Sequence, residues 1–338
     1  MLNFHKDHKK LVLTALGVYV LLSTIIAVMP AWQMKEVEPL PTQPQLTDAE
    51  LKGLNIFVKE NCMACHTQQV RNIEMDKVWG DRPSMPSDYY YSKQRLSLWQ
   101  QSASLLGSER TGPDLTNVGK RQPGKDWHLL HFYNPRIVVK ESIMPGYPWL
   151  YQEKNESEIT STDVVVPVPA KFIRGENKKI VATEELMHLI SYVQSLKQAP
   201  IPGNETAGFI ESSKVKAAPT PEGKNPDTNL ADGKKLYAQH CIACHQGNGK
   251  GLPGAFPPLA GSPIVNDKNP DLMVRIILQG YDARSEYAQM PGFASQLSDE
   301  EISAIVSHER TSWGNEAAPV SAGEVGKIRE NVMKEFNP

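Results

Sequence analysis

One pentapeptide occurs twice in this chain of 338 residues, and the two copies use all four of its cysteines. Both copies have the form C-x-A-C-H, the first at Cys62–His66 and the second at Cys241–His245. Self-similarity within a chain indicates a repeated structural unit. We therefore expect two related domains, each built around one copy, with no cysteine left for a disulfide.

The pattern C-x-x-C-H is the attachment signal for haem c, in which both thiols bond to the porphyrin and the histidine ligates the iron. Zinc ribbons place their cysteine pairs roughly 15–20 residues apart, whereas most of the chain separates Cys65 from Cys241. A thioredoxin-like dithiol requires a βαβ pattern that the sequence does not show. The sequence thus predicts two covalently bound haem c groups. The attachment residues are Cys62, Cys65 and His66 for the first group, and Cys241, Cys244 and His245 for the second.

The repeat extends beyond the pentapeptides. Each copy is followed by a proline-containing loop, a Met-Pro-Gly-aromatic turn and an acidic helix start. Met144 follows Pro113 by 31 residues, and Met290 follows Pro258 by 32. The spacing between histidine and proline differs, because the first copy carries a long insertion over residues 67–110. One fold is therefore used twice, and the first copy is enlarged.

Two methionines are predicted as the sixth ligands of the irons. A thioether is soft and neutral, and the choice of axial ligand moves the potential of a haem over about 0.8 V. Met144 and Met290 each open the equivalent Met-Pro-Gly-aromatic turn. The competitors for the first group are Met75, Met85, His128 and His131. We interpret the two histidines, in the segment W-H-x-x-H, as structural residues of a buried helix that ends before Pro135.

The N-terminal region predicts a membrane anchor. Residues 11–29 carry no charge, and this run is long enough to span ~30 Å of hydrocarbon as a helix. The apolar core of a signal peptide is usually only ~7–15 residues long. Lysines before the run place the N-terminus in the cytoplasm by the positive-inside rule. The sequence predicts a single-pass protein of the bacterial inner membrane with its haem domains on the periplasmic side. A net charge of −2 without a long basic run argues against a nucleic-acid partner.

The order of these motifs resembles class I cytochrome c. In that family a C-x-x-C-H helix is followed by a Pro-x-Leu loop, a methionine ligand and a C-terminal helix that crosses the first. The resemblance implies a mainly α fold, with an N-terminal transmembrane helix followed by two class I cytochrome c domains. It also implies that the carbonyls of Pro113 and Pro258 accept the Nδ1 protons of His66 and His245, which would fix the rings as ligands.

Local signals divide the chain into segments. Thr47–Glu50 is a helix-start signal, a proline-rich stretch indicates a mostly extended linker that lets the second domain move, and Ser298–Glu301 predicts a capping box. The predicted segments are an anchor at 1–32, a stalk at 33–46, a first domain at 47–197, a linker at 198–227, a second domain at 228–314 and a tail at 315–338. The tail contains a possible short helix over residues 322–336.

The first half of the chain also resembles the membrane-anchored mono-haem O subunit of cbb3-type cytochrome c oxidases. The resemblance covers roughly residues 1–197 and includes C-x-x-C-H-x-Q-x-x-R, G-S-x-R-T-G-P-D-L, W-H-x-x-H and S-I-M-P-x-Y-P-W-L. It implies that Met144 is an axial ligand and that this domain packs on the haem–copper catalytic subunit. Arginines and aromatic residues in the insertion also suggest a subunit interface. The second domain resembles the cytochrome modules of the P subunit, so the chain resembles a fusion of the two.

The expected function is a two-haem electron relay with no catalytic residue of its own. The second domain would accept electrons from a donor cytochrome or a quinol-oxidising complex. The first would pass them to a haem–copper subunit that reduces O2. The alternatives are an electron-transfer subunit of a related nitric oxide reductase, a dihaem enzyme such as a peroxidase, and a stand-alone membrane-tethered cytochrome.

Overall fold

The structure is a computed structural model that describes residues 4, 6–93, 105–107, 109–173, 175, 177–201, 208–210, 226–284 and 287–336. Most of the linker predicted at 198–227 lies outside these residues. The described part is an apolar N-terminal helix followed by two mainly helical domains.

The N-terminal helix begins with α1 (His8–Ser23), continues through a π-helical turn (Thr24–Val28) and ends in α2 (Met29–Gln33). The π turn precedes Pro30, which has no amide hydrogen to donate to the helical carbonyl behind it. Within the 21 residues from His8 to Val28, an 18-residue stretch has a mean hydropathy of 2.5, and none of that stretch is buried. Among the described residues, this is the one helix that is long and apolar enough to cross a membrane.

The remaining elements fall into two groups. The first domain contains α3 (Asp48–Lys59), α4 (Tyr90–Lys93), α5 (Val118–Arg121), α6 (Lys125–Tyr133), α7 (Glu184–Ser195) and the antiparallel strands β1 (Tyr151–Asn155) and β2 (Lys178–Ala182). The second contains α8 (Pro226–His240), α9 (Ile242–His245), α10 (Asp271–Gln279), α11 (Asp299–Arg310), α12 (Ala322–Phe336) and the short antiparallel strands β3 (Gly280–Tyr281) and β4 (Met290–Pro291). Single 3-10 turns include Cys62–Ala64, Glu74–Val78, Pro86–Tyr89, Pro135–Ile137 and Pro148–Leu150.

In the first domain α3 crosses α7 at very short distance. A Cβ atom on Gly53 would lie 1.9 Å from the carbonyl oxygen of His188, so the crossing requires glycine. One turn further along, the rings of Phe57 and Tyr192 meet edge to face with centroids 5.3 Å apart. This crossing fixes the end of α3, from which the first C-x-x-C-H segment departs.

The second domain repeats the crossing with α8 and α11. A Cβ atom on Gly233 would lie 2.1 Å from the carbonyl oxygen of Ala304. The Tyr237 ring lies 5.5 Å from that of His308, centroid to centroid. A Gly-x-x-x-aromatic segment thus precedes each haem motif, a part of the repeat that the sequence analysis did not recognise.

Side-chain caps begin the crossing helices where the sequence predicted them. Thr47 and Glu50 form a capping box at the start of α3, and Ser298 and Glu301 form one at the start of α11. Each box satisfies backbone amides that the first helical turn leaves without partners. Both helix starts are therefore confirmed.

The predicted tail belongs to the core of the second domain. The helix predicted over residues 322–336 is present as α12, and its apolar face buries Val325, Ile328 and Val332 with the side chains of α10 and α11. Arg329 donates to Asp299 at 2.7 Å and to two backbone carbonyls. The predicted domain end at residue 314 therefore leaves out α12, which packs into the core of the second domain. The mixture of charged and apolar residues in this segment did not indicate that it is packed.

The two domains are packed against each other. Ala255 and Phe256 of the second domain are buried in the same apolar cluster as Trp127 and the core of the first. The carboxylate of Asp126 accepts a hydrogen bond from the backbone amide of Gln289 at 3.1 Å. The linker composition predicted a mobile second domain, whereas the structure shows a docked one.

Gly233 gives a direct test of the close crossing between α8 and α11. We expect Gly233→Ala to lower the free energy of unfolding by about 1–3 kcal/mol, because the added methyl group meets backbone atoms that cannot rotate away. Thermal unfolding of the full chain in detergent measures the change. The matched control is Gly323→Ala in α12, where a Cβ meets no atom within 4 Å. Equal stability of both variants would contradict the close crossing.

Candidate functional site

The first predicted haem histidine is held by a backbone carbonyl. Nδ1 of His66 lies 2.8 Å from the carbonyl oxygen of Pro113. Donation from Nδ1 leaves Nε2 free to ligate a metal and fixes the orientation of the ring. The chain passes close to the ring at Gly112, where a Cβ atom would lie 2.4 Å from His66 Cε1. Glycine is thus required beside the histidine.

The second histidine has the same arrangement with a different proline. Nδ1 of His245 lies 3.0 Å from the carbonyl oxygen of Pro257. The acceptor implied at Pro258 is therefore wrong by one residue. The Pro-x-Leu spacing of the first copy, Pro113 to Leu115, recurs as Pro257 to Leu259, and the double proline concealed this register.

A cavity of about 360 Å³ adjoins the second histidine. Its lining includes Cys241, Cys244, His245 and Met290, which brings together the predicted attachment and ligand residues of the second group. Burial raises the pKa of the Cys244 thiol to about 12, so this thiol is neutral at ordinary pH. Most of the accessible lining of the cavity is apolar. An apolar cavity bounded by two thiols, an oriented imidazole and a thioether fits a covalently attached haem.

At the first site Met144 lies against a histidine. Its Sδ atom is 3.1 Å from Nε2 of His131, which projects from α6. Burial and the neighbouring His128 and His66 lower the pKa of His131 to about 3, so its ring is neutral at ordinary pH. The sequence indicates only a structural histidine at His131 and carries no signal for its contact with the predicted ligand Met144.

The other competitors for the first site are placed differently. Nε2 of His128 lies 2.8 Å from the carbonyl oxygen of Gln122, which supports the structural interpretation of that residue. Met75 is 69% exposed on the surface. The amide of Met85 is bonded to Asp88 in the loop before a 3-10 turn. Of these side chains, His131 is the one in contact with Met144.

Buried ion pairs hold the loop that carries Pro113. Asp76 is fully buried and accepts hydrogen bonds from Arg71 at 2.9 Å and from Arg110 at 2.7 Å. Burial alone would raise the pKa of Asp76, but the two guanidinium groups outweigh it and lower the pKa to about 2. Arg71 and Arg110, two arginines of the insertion, therefore bind a carboxylate within their own domain.

Asp114 ties the haem motif to the same loop. Its buried carboxylate accepts from the Thr67 hydroxyl at 2.6 Å and from the Gln69 amide at 2.8 Å. Thr67 follows His66 directly, and Asp114 follows Pro113. These bonds therefore fix the short distance between the histidine and its carbonyl acceptor.

Two buried donors provide a further test of whether haem fits. Arg121 lies over the Trp79 ring, with its carbon Cζ 5.1 Å from the ring centroid, and burial lowers the pKa of its guanidinium to about 10. Arg121 Nε and Trp127 Nε1 are buried and have no acceptor among the described residues. Buried polar groups are nearly always paired. The carboxylates of a haem would supply acceptors, so the described residues fit the group.

The fold and the two histidine–carbonyl pairs define a c-type cytochrome with an apolar N-terminal helix that suggests a membrane anchor. A family model described as "Cytochrome C oxidase, mono-heme subunit/FixO" matches residues 3–172, half of the chain, and the chain belongs to this family. A second model, "Cytochrome C oxidase, cbb3-type, subunit III", matches residues 228–308. The predicted fusion of an O-type region with a further cbb3-type cytochrome domain is thereby confirmed.

Individual relatives are also cytochromes. Cytochrome c-552 of Thermus thermophilus is 39% identical over 116 residues, which cover 30% of this chain and 88% of the relative. The cytochrome c subunit of alcohol dehydrogenase (quinone) from Gluconacetobacter polyoxogenes is 33% identical over 161 residues, which cover 44% of this chain and 32% of the relative. The fructose dehydrogenase cytochrome subunit of Gluconobacter japonicus is 28% identical over 158 residues, which cover 43% of this chain and 32% of the relative. The chain thus spans about a third of the length of these dehydrogenase subunits. Together with the family matches, these relatives identify a cytochrome c electron-transfer subunit.

The buried carboxylate of Asp76 makes a prediction about acid stability. Its folded pKa of about 2 lies below the ordinary value of 3.8, so its stabilisation is present above about pH 4 and is lost as the pH falls through 2. We expect Asp76→Ala to cost about 2–3 kcal/mol at neutral pH, the free energy that corresponds to the lowered pKa of this carboxylate. Urea unfolding of wild type and variant at pH 7 and pH 2.5 measures the difference.

The matched control for this prediction is Glu153→Gln on the exposed face of β1. The control should cost little at either pH. A stability difference between Asp76→Ala and wild type that stays constant down to pH 2.5 would contradict the assigned ion pairs.

Proposed function

We propose that this chain is the electron-transfer subunit of a cbb3-type haem–copper oxidase and that it carries two haem c groups. The main support is that two histidine–carbonyl pairs occur in domains that match two different components of the same kind of oxidase. When bound, haem c supplies one-electron redox chemistry. The protein supplies the attachment residues, the ligands and their environment.

The proposed binding residues are of the same types in both domains: two cysteines, a histidine and a methionine. Cys62 and Cys65 attach the first group, with His66 and Met144 as ligands, and Cys241 and Cys244 attach the second, with His245 and Met290 as ligands. The carbonyls of Pro113 and Pro257 orient the two histidines. A histidine and a methionine ligand at each iron would leave no place for a substrate, so we propose that catalysis occurs in another subunit.

The N-terminal helix sets the proposed direction of electron flow. With residues 8–28 in the membrane and the basic N-terminus in the cytoplasm, both domains lie on the periplasmic side. The first domain adjoins the membrane and delivers electrons to the haem–copper catalytic subunit. The second accepts them from a donor cytochrome or a quinol-oxidising complex.

Isolation of the native complex tests this function. We expect a tagged full-length chain, solubilised in mild detergent, to co-purify a haem–copper membrane subunit and to support O2 consumption with a reduced donor. Mass spectrometry and an oxygen electrode provide the measurements. A partner that reduces nitric oxide but not O2 would contradict the oxidase assignment, as would a chain purified without any membrane partner.

The proposed axial ligand of the second site makes a separate prediction. Met290→Ala should lower the potential of one haem and leave the other unchanged, because loss of the thioether removes the ligand that favours ferrous iron. Spectroelectrochemical titration of the full chain measures both potentials. Oxidation of the donor by the complex should slow in parallel.

The control for Met290→Ala is Met333→Ala, a methionine of α12 that is 52% exposed. This control should leave both potentials unchanged. Unchanged donor oxidation in Met290→Ala would show that the proposed order of the two domains is wrong.

A further inference from the structure

The first domain contributes a wall to the cavity of the second. Trp127 lines this cavity together with Gln122, Pro123 and Gly124, and the rest of the lining includes Cys241, Cys244, His245 and Met290. Only 9% of Trp127 is exposed, so its indole is almost entirely enclosed. The second site is therefore not complete within its own domain.

Specific contacts hold this wall in place. The Asp126 carboxylate accepts from the amide of Gln289, the residue that precedes Met290. Ala255 and Phe256, next to the acceptor Pro257, are buried in the apolar core cluster of the first domain. The docking thus uses the residues that flank the predicted ligand and the histidine's acceptor, rather than a remote surface.

Trp127 also contacts a side chain of the first site. Its ring stacks on that of His131 with centroids 4.5 Å apart and an angle of 11° between the planes. Nε2 of His131 in turn lies 3.1 Å from Sδ of Met144. Trp127 and His131 are four residues apart on α6, so the helix places both on the same face. A continuous set of packed side chains therefore runs from Met144 to the cavity at Met290.

We propose that Trp127 and His131 form the contact through which electrons pass between the two sites, and that Trp127 completes the second site by excluding water from it. The proposal rests on the proposed function, since it requires redox groups at both sites. One electron moves in each transfer, so that the second site is oxidised as the first is reduced. No proton is transferred, and no bond is formed or broken.

The structure supports this path over movement of a free domain. The stacked rings replace solvent with conjugated atoms in van der Waals contact. A docked domain also keeps the separation of the two sites constant.

The test compares Trp127→Leu with Trp127→Phe in the isolated full-length chain. We expect Trp127→Leu to slow electron equilibration between the sites roughly tenfold, equivalent to about 1.4 kcal/mol in activation free energy. Trp127→Phe keeps a ring against His131 and should remain close to wild type. Photochemical reduction of fewer than one electron per chain, followed by time-resolved absorption, measures the rate.

Equilibrium redox titration gives a readout that does not depend on turnover. Water admitted by Trp127→Leu should lower the potential of the second site, because solvent stabilises the oxidised state. The control is Trp149→Leu, a tryptophan of the first domain that is 60% exposed. It should change neither the rate nor the potentials.

Each outcome decides one part of the proposal. If Trp127→Leu changes neither the rate nor the potential, the whole proposal is overturned. If only the potential shifts, Trp127 still excludes water from the second site, but its role in the electron path is overturned. If Trp127→Leu does not assemble, His131→Leu interrupts the same stack from the other side, and a wild-type rate there overturns the contact. Because the chain is measured alone, the result does not depend on which membrane partner it serves.

Discussion

The close crossing of two helices is the constraint on which each domain depends. Where Gly53 of α3 meets α7 and Gly233 of α8 meets α11, the backbones approach so closely that no other residue fits. The crossing fixes the end of the helix that leads into each C-x-x-C-H segment, and so fixes the base of each histidine. A carbonyl from a proline loop then sets the angle of each imidazole. Ligand orientation is thus determined by backbone geometry, which the rest of each domain has only to preserve.

The two domains preserve that geometry by different means. In the first, buried carboxylates at Asp76 and Asp114 bind arginine, threonine and backbone donors around the proline loop. In the second, α12 returns over α10 and α11 and closes an apolar core. Ionised side chains thus fix the proline loop of the first domain, and α12 covers the apolar core of the second.

The local features of this structure could be predicted from the sequence, and the long-range ones could not. The haem motifs, the apolar helix and the capping boxes at Thr47 and Ser298 are determined by neighbouring residues. The acceptor at Pro257 was missed because two adjacent prolines allow two registers. The docking of Trp127 in the second cavity depends on how two domains fit, which periodicity does not encode. The contact between His131 and Met144 could not be predicted, because only the folded chain brings these two side chains together.

The account of this chain as a two-site electron relay can be tested in a single turnover. The fully reduced native complex is mixed rapidly with O2, and the absorption of its c-type haems is followed with time. The account predicts that two c-type haems per chain are oxidised within the turnover, and that disruption of the second attachment pair, Cys241 and Cys244, leaves one. Haems that remain reduced while O2 is consumed would contradict it.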